Sequence, residues 1–124
     1  MYAGGGSWSN ASDRELKENF AVVDGREVLT RLSTVPVLSW NYKSQDVSIR
    51  HMGPVAQDFA VFGLGEDNKT ISTVDADGVS LAAIQALYEL SQEQAGRIEE
   101  LEGQLEALQA LVGKLVQEQT RSGQ

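Results

Sequence analysis

The sequence predicts an α+β chain: a small globular domain with a short β-hairpin and short helices, followed by one long C-terminal helix. Three observations carry this. Hydrophobic residues make up 41% of the chain, which places it among packed domains rather than disordered segments. Apolar and polar residues alternate on either side of a polar turn between Leu38 and His51, the period of paired strands. From Val79 onwards there is no proline, and apolar residues recur on a seven-residue repeat among Ala, Leu, Glu and Gln.

Charge and composition exclude several functions. Ten Lys and Arg stand against eighteen Asp and Glu, a formal net charge of -8. A duplex nucleic acid or an anionic membrane surface needs a basic face, so neither is an expected partner. The chain has no cysteine, hence no disulfide framework and no thiolate metal site. No apolar run approaches the roughly 18 residues of a membrane span. No cluster has metal-ligand spacing and no glycine loop resembles a phosphate cradle, so neither metal nor cofactor is expected. The opening Met1-Tyr2-Ala3-Gly4-Gly5-Gly6-Ser7 lacks the regions of a signal peptide. It reads as the edge of a longer protein, of which this is a C-terminal piece.

In chain order, residues 1–11 form a lead-in rich in Gly, Ser and Asn, with Trp8 as its large apolar group. Ser12 and Glu15 fit a capping box that starts a turn or short helix. Phe20, Val22 and Val23 suggest a short extended segment. Asp24 and Glu27 repeat the capping pattern, and Val28, Leu29 and Leu32 share a helical face, predicting a helix over 25–33. Pro36 ends it, because the residue before a proline avoids the α region. Hairpin strands follow near 37–43 and 47–52. Pro54, suited to a first helical turn, opens a helix over 54–62 that Gly63 closes. Thr70–Val74 reads as one more short strand, and Asp75-Ala76-Asp77-Gly78 as the N-cap of the last helix.

That last helix fits a heptad frame. Ile84, Ser91, Ile98, Leu105, Val112 and Gln119 fall at a, and Leu87, Gln94, Leu101, Leu108 and Leu115 at d. Ser91 and Gln94 make a polar layer, and the run from Ile98 to Leu115 is wholly apolar. A helix this long with so narrow a seam cannot bury itself on so small a domain, so a coiled coil with partner helices is expected, the alternative being a single solvated helix or one folded back on its own domain. Gly96, Gly103 and Gly113 face outward and loosen the helix by about 1 kcal/mol each without blocking the seam. The seam residues are compatible with both two and three strands. The predicted organisation is thus lead-in 1–11, domain 12–78, coiled-coil helix 79–119 and tail 120–124.

The chemistry-bearing stretch is Ser12-Asp13-Arg14-Glu15-Leu16-Lys17. A serine hydroxyl needs a base to become a nucleophile, and a lysine serves when its amine is uncharged. Five residues on an ideal helix separate two side chains by about 140°, so Ser12 and Lys17 meet only if the chain bends before the helix. Such a bend exposes the Ala11–Ser12 peptide to attack by its own hydroxyl, turning an amide into an ester that water opens. Helix capping is the alternative use of the same serine. His51, the single histidine, is a candidate for polarising the scissile carbonyl or tuning Lys17, or else a packed strand residue. Gln57 and Asp58 are candidate hydrogen-bonding groups for the site or for a neighbouring chain, and Trp40 and Tyr42 are candidate core.

Ser12-Asp13-Arg14-Glu15-Leu16-Lys17-Glu18-Asn19-Phe20 resembles the opening of the S74 self-cleaving intramolecular chaperone domains that end phage tailspikes, tail fibres and endosialidases. A related domain occurs in the myelin regulatory factors. The resemblance continues through Trp40-Asn41-Tyr42, then His51-Met52-Gly53-Pro54-Val55-Ala56-Gln57-Asp58, similar to the family's Gly-x-x-Ala-Gln-Glu/Asp segment. It ends with Val74-Asp75 and Leu81-Ala82-Ala83-Ile84-Gln85-Ala86-Leu87, covering roughly residues 10–95. It implies a homotrimer that guides folding of the protein ahead of it and then releases itself by a cut between Ala11 and Ser12. Ser12 would be the nucleophile and Lys17 its general base. Pro54 and Val55 after the glycine, and Asp58 for the usual Glu, depart from the family pattern without touching this pair. The resemblance also implies a virion fibre or a bacterial surface appendage as the parent.

The leading expectation is therefore a single-turnover autoprotease and trimerisation module whose partners are copies of itself and its own upstream region. A non-cleaving structural module, with Ser12 only capping a helix, is the alternative from another class. A heterotypic coiled-coil adaptor is a third.

Overall fold

The computed structural model describes residues 6–123. Met1–Gly5 of the predicted lead-in and Gln124 of the predicted tail lie outside the described residues. The architecture is the expected α+β one, a two-stranded hairpin with short helices and a long C-terminal helix. The chain divides into two compact units, residues 1–86 and 87–124.

In the first unit, α1 runs over Gly25–Leu32, one residue short of the expected end. Asp24 caps it, its carboxylate accepting the backbone N–H groups of Arg26 and Glu27. Glu27 does not complete the expected box. Its carboxylate pairs with Arg31 one turn on. Arg31 also donates to the carbonyl of Val61 at 3.1 Å, tying α1 to a 3-10 turn over Ala60–Phe62.

The hairpin is antiparallel but shorter than predicted. Strand β1 is Leu38–Trp40 and β2 is His51–Gly53, with Leu38 opposite Gly53 and Trp40 opposite His51. The expected strand over 47–52 is corrected: Val47 and Ile49 lie in the connection. The reason is local. The Asp46 carboxylate accepts both the N–H and the hydroxyl of Ser48, and the Ile49 N–H bonds the Asp46 carbonyl. These bonds give residues 46–49 a turn in place of a ladder. The Ser48 hydroxyl, and then its N–H, hold the Asp46 carboxyl below its ordinary range.

Helix α2 spans Ala56–Phe59, so the helix expected from Pro54 begins two residues later, after Val55 as N-cap. Gly63 closes the segment as expected, at φ 65° in the left-handed region. Phe20, Val22 and Val23 form no strand, and neither does Thr70–Val74. Instead α3 begins at Thr73 and continues to Ser122. Its first bond runs from the Ala76 N–H to the Ser72 carbonyl, so Asp75–Gly78 lies inside the helix rather than capping it. Packing explains the early start. Val79, Ala83 and Ala86, at helical spacing, are buried in the first unit.

The core is thin. Its buried hydrophobic residues are Val35, Phe59, Val79, Ala83 and Ala86, with Phe62 packed on Phe59 at a ring separation of 5.0 Å. Gly25 lies where α1 meets α3. A Cβ there would sit 3.1 Å from the Ala82 carbonyl oxygen and 3.3 Å from the Ala86 Cβ. Gly25→Val should therefore separate the two helices, lowering stability by about 1–3 kcal/mol through overpacking. Urea unfolding followed by circular dichroism reads this directly.

The second unit is the remainder of α3. Ile98, Leu101, Leu105, Leu108, Val112 and Leu115 are 46–57% exposed along it. No helix among the described residues is long and apolar enough to cross a membrane.

Candidate functional site

The Ser12–Lys17 stretch folds as a single 3-10 turn over Arg14–Leu16. Asp13 caps it. Its carboxylate accepts the Glu15 N–H at 3.0 Å, while the Leu16 N–H reaches the Asp13 carbonyl. Ser12 is therefore not the cap, which corrects the capping-box expectation. Its hydroxyl stands one residue outside the turn and takes a different partner: Lys17 Nζ donates to Ser12 Oγ at 2.7 Å.

The bend that the chemistry required is thus present. On a continuous helix the two side chains would diverge. Here the turn is tight and short, and Lys17 leaves it in extended conformation at φ -120° and ψ 151°, so its side chain returns to the hydroxyl. A backbone reversal and one contact fix the chain beyond. Asn19 is left-handed at φ 55°, a conformation its short amide side chain tolerates. The reversal brings Phe20 under the guanidinium of Arg14, 4.8 Å from the ring centre. Residues 12–20 are exposed throughout, so these local bonds alone position the pair.

His51 lies elsewhere in the contact network. Its ring stacks on Trp40 at 5.2 Å and meets Tyr42 edge-on at 5.1 Å, while Nε2 bonds the side-chain oxygen of Gln45 at 3.0 Å. Trp40 is half-buried and donates its indole N–H to the Gly53 carbonyl, while Tyr42 is exposed. Gln57 and Asp58 are exposed on α2. Gln57 lines an open groove of about 790 Å³ with Trp40, Tyr42, Pro54, Lys69 and Ile71. None of His51, Gln57 or Asp58 hydrogen-bonds to Ser12 or Lys17. Among the described residues no cluster of His, Cys, Asp and Glu is arranged to hold a metal ion.

Sequence reasoning passed over Asp13 and Asn19. The Asp-x-Glu spacing of an Asx turn was the available signal for the first, and an asparagine ahead of an apolar run for the second. It also passed over Asp67, whose carboxylate accepts the Lys69 N–H and both the N–H and hydroxyl of Thr70. These bonds, with Lys69 first, lower its pKa from the usual 3.8 and shape one end of the loop into α3.

The chemistry open to this arrangement is narrow. A hydroxyl held on an amine, beside the peptide bond that its own residue closes, suits acyl transfer within the chain. Residues 12–62 match the family model Peptidase_S74, described as chaperone of endosialidase. The match begins at Ser12 and takes in Lys17, the hairpin, α2 and the 3-10 turn after it. No curated protein matches the chain.

Proposed function

We propose, from the premise that residues 12–62 form a domain of the S74 chaperone-of-endosialidase family, that this chain assembles as a homotrimer. Assembly assists folding of the protein ahead of it, and the domain then frees itself by cutting its own Ala11–Ser12 bond. The observation that carries this is the 2.7 Å contact between Lys17 Nζ and Ser12 Oγ.

The reaction runs in two steps. Ser12 Oγ attacks the carbonyl carbon of Ala11 as its proton passes to the uncharged amine of Lys17. The C–N bond breaks, the nitrogen takes up a proton and becomes the amino group of Ser12, and an ester now joins Ala11 to Ser12 Oγ. Water, deprotonated by the same amine, opens that ester to the Ala11 carboxylate and the free hydroxyl. For this the hydrogen bond must run with the hydroxyl donating to the amine. Desolvation favours an uncharged lysine, and both side chains are exposed in the single chain. Covering them on assembly ties the cut to the folded oligomer.

Assembly itself is supported by what one chain leaves uncovered. The five buried hydrophobic residues of the first unit are a small core, and the seam from Ile98 to Leu115 has no covering surface within its own unit. Soluble chains rarely leave so continuous an apolar stripe in water.

Intact-mass measurement of the freshly purified full chain tests the reading. The parent should lose residues 1–11, and Ser12→Ala should retain them. A trimeric parent that keeps residues 1–11 would sink the self-cleavage claim and leave a non-cleaving scaffold. Asp13 enters as a positioning residue. Loss of a cap weakens a turn by about 1 kcal/mol, roughly a fivefold change in population. Asp13→Ala should slow release of residues 1–11 by about that factor, and Asp13→Asn, which keeps an accepting oxygen, should restore most of it.

A further inference from the structure

We propose that Arg14 and Phe20, joined across the left-handed Asn19, are positioning residues for the cut: their stack closes the chain around Lys17 and holds its amine on the Ser12 hydroxyl. This rests on the self-cleavage proposed above and adds to it the groups that keep its base in place.

A lysine amine ends a flexible four-carbon stem and has many rotamers open to it. Lys17 is exposed, so burial does not choose among them in the single chain. Ties to neighbouring residues must do so. On the N-terminal side these belong to the turn: the Asp13 carboxylate accepts the Glu15 N–H, and the Lys17 N–H donates to the Arg14 carbonyl at 3.1 Å. On the C-terminal side the backbone offers none. Residues 18–23 make no backbone–backbone hydrogen bond, and the next anchored point is Asp24, the cap of α1. The tie across this gap is the stack. Asn19 at φ 55° reverses the chain and brings the Phe20 ring centre to 4.8 Å from the Arg14 guanidinium carbon. Arg14 thus holds Lys17 from both sides: its carbonyl takes the Lys17 N–H, and its side chain takes the ring three residues further on. Freedom between residues 17 and 20 narrows, with Lys17 Nζ kept 2.7 Å from Ser12 Oγ.

Folding gives these three residues little else to do. Phe20 is 61% exposed and lies outside the core. Arg14 makes no ion pair among the described residues. Asn19 is the one residue other than glycine with a positive φ among the described residues. Conformations of that kind cluster where the chain is held for a function.

Release of residues 1–11 from the full chain, followed by intact mass against time, tests the role. A cation–π contact at an exposed site shifts a population by about two- to fivefold. Phe20→Leu and Arg14→Gln should each slow release by about that factor. Phe20→Trp, which offers a stronger ring, should keep the parent rate. Arg14→Gln and Phe20→Leu together should slow release no more than either alone, because each removes the same contact. Asn19→Gly, for which the left-handed region is open, should cut faster than Asn19→Ala. Phe20→Leu should matter less in a Ser12→Cys chain, whose thiol depends less on its base. A residue that only stiffened the turn would slow both chains alike. All variants should keep the parent's circular dichroism, since Arg14, Asn19 and Phe20 are exposed. A parent that cuts while F20L and R14Q match its rate overturns the positioning role. So do multiplicative effects in the double variant, or equal slowing of the Ser12→Cys chain. A parent that never loses residues 1–11 fails one step earlier, and overturns the cut and this role with it.

Discussion

Under the proposed self-cleavage, replacing Lys17 with methionine is expected to leave the Ala11–Ser12 bond intact over the time in which the parent chain should lose residues 1–11. Methionine keeps an unbranched side chain of similar reach but offers no basic nitrogen. Removing a general base costs roughly 10²–10⁴-fold in rate, enough to turn a completed cut into an undetectable one. Lys17→Arg should fail equally, because a guanidinium does not give up its proton in proteins. Ser12→Cys should still cut, since a thiol ionises far more readily than a hydroxyl and depends less on its base. The pattern matters more than any one variant. A purely structural contact between Nζ and Oγ at 2.7 Å would tolerate arginine and be indifferent to the thiol. Intact mass against time separates the two, with circular dichroism to show that the fold is retained.

The second large effect lies far along the chain from the cut. Leu101→Glu with Leu108→Glu puts two carboxylates into the seam. Each leucine buried against a partner contributes about 1.5–3 kcal/mol, and each carboxylate must be desolvated in its place. Losing two per chain weakens association by at least roughly 10²–10⁴-fold at about 1.4 kcal/mol per decade. Light scattering should report a monomer. Cleavage should stop with it, although Ser12, Lys17 and their turn are untouched. A monomer that still releases residues 1–11 would separate the chemistry from assembly and remove the reason for burial at the site.

What the sequence revealed in advance was mostly local or periodic. The cap at Asp24 and the helix after it follow from neighbours within one turn, and the structure places α1 over Gly25–Leu32. The long C-terminal helix follows from its composition and spacing, and the structure carries it to Ser122. Misreadings arose where a side chain competes with the backbone pattern. Val47 and Ile49 alternate like a strand, yet the carboxylate of Asp46 draws that segment into a turn. Asp75–Gly78 has the composition of a cap, yet burial of Val79 and Ala83 carries the helix back through it to Thr73. At the site, spacing named Ser12 and Lys17, but only the Asp13 cap explains how residues five apart can meet. The close approach at Gly25 has no sequence signature, because it depends on Ala82 and Ala86, more than fifty residues away.

The thin core has a consequence for what stability means in this protein. Among the described residues five hydrophobic side chains are buried, all in the first unit, while the apolar stripe of the second is exposed in the single chain. Under the proposed assembly, folding and association draw on the same free energy, and mass action links them. The melting temperature becomes a function of chain concentration, and dilution alone acts as a denaturant. A precursor that tethers its copies together upstream raises their local concentration, and so stabilises this domain without adding a contact to it.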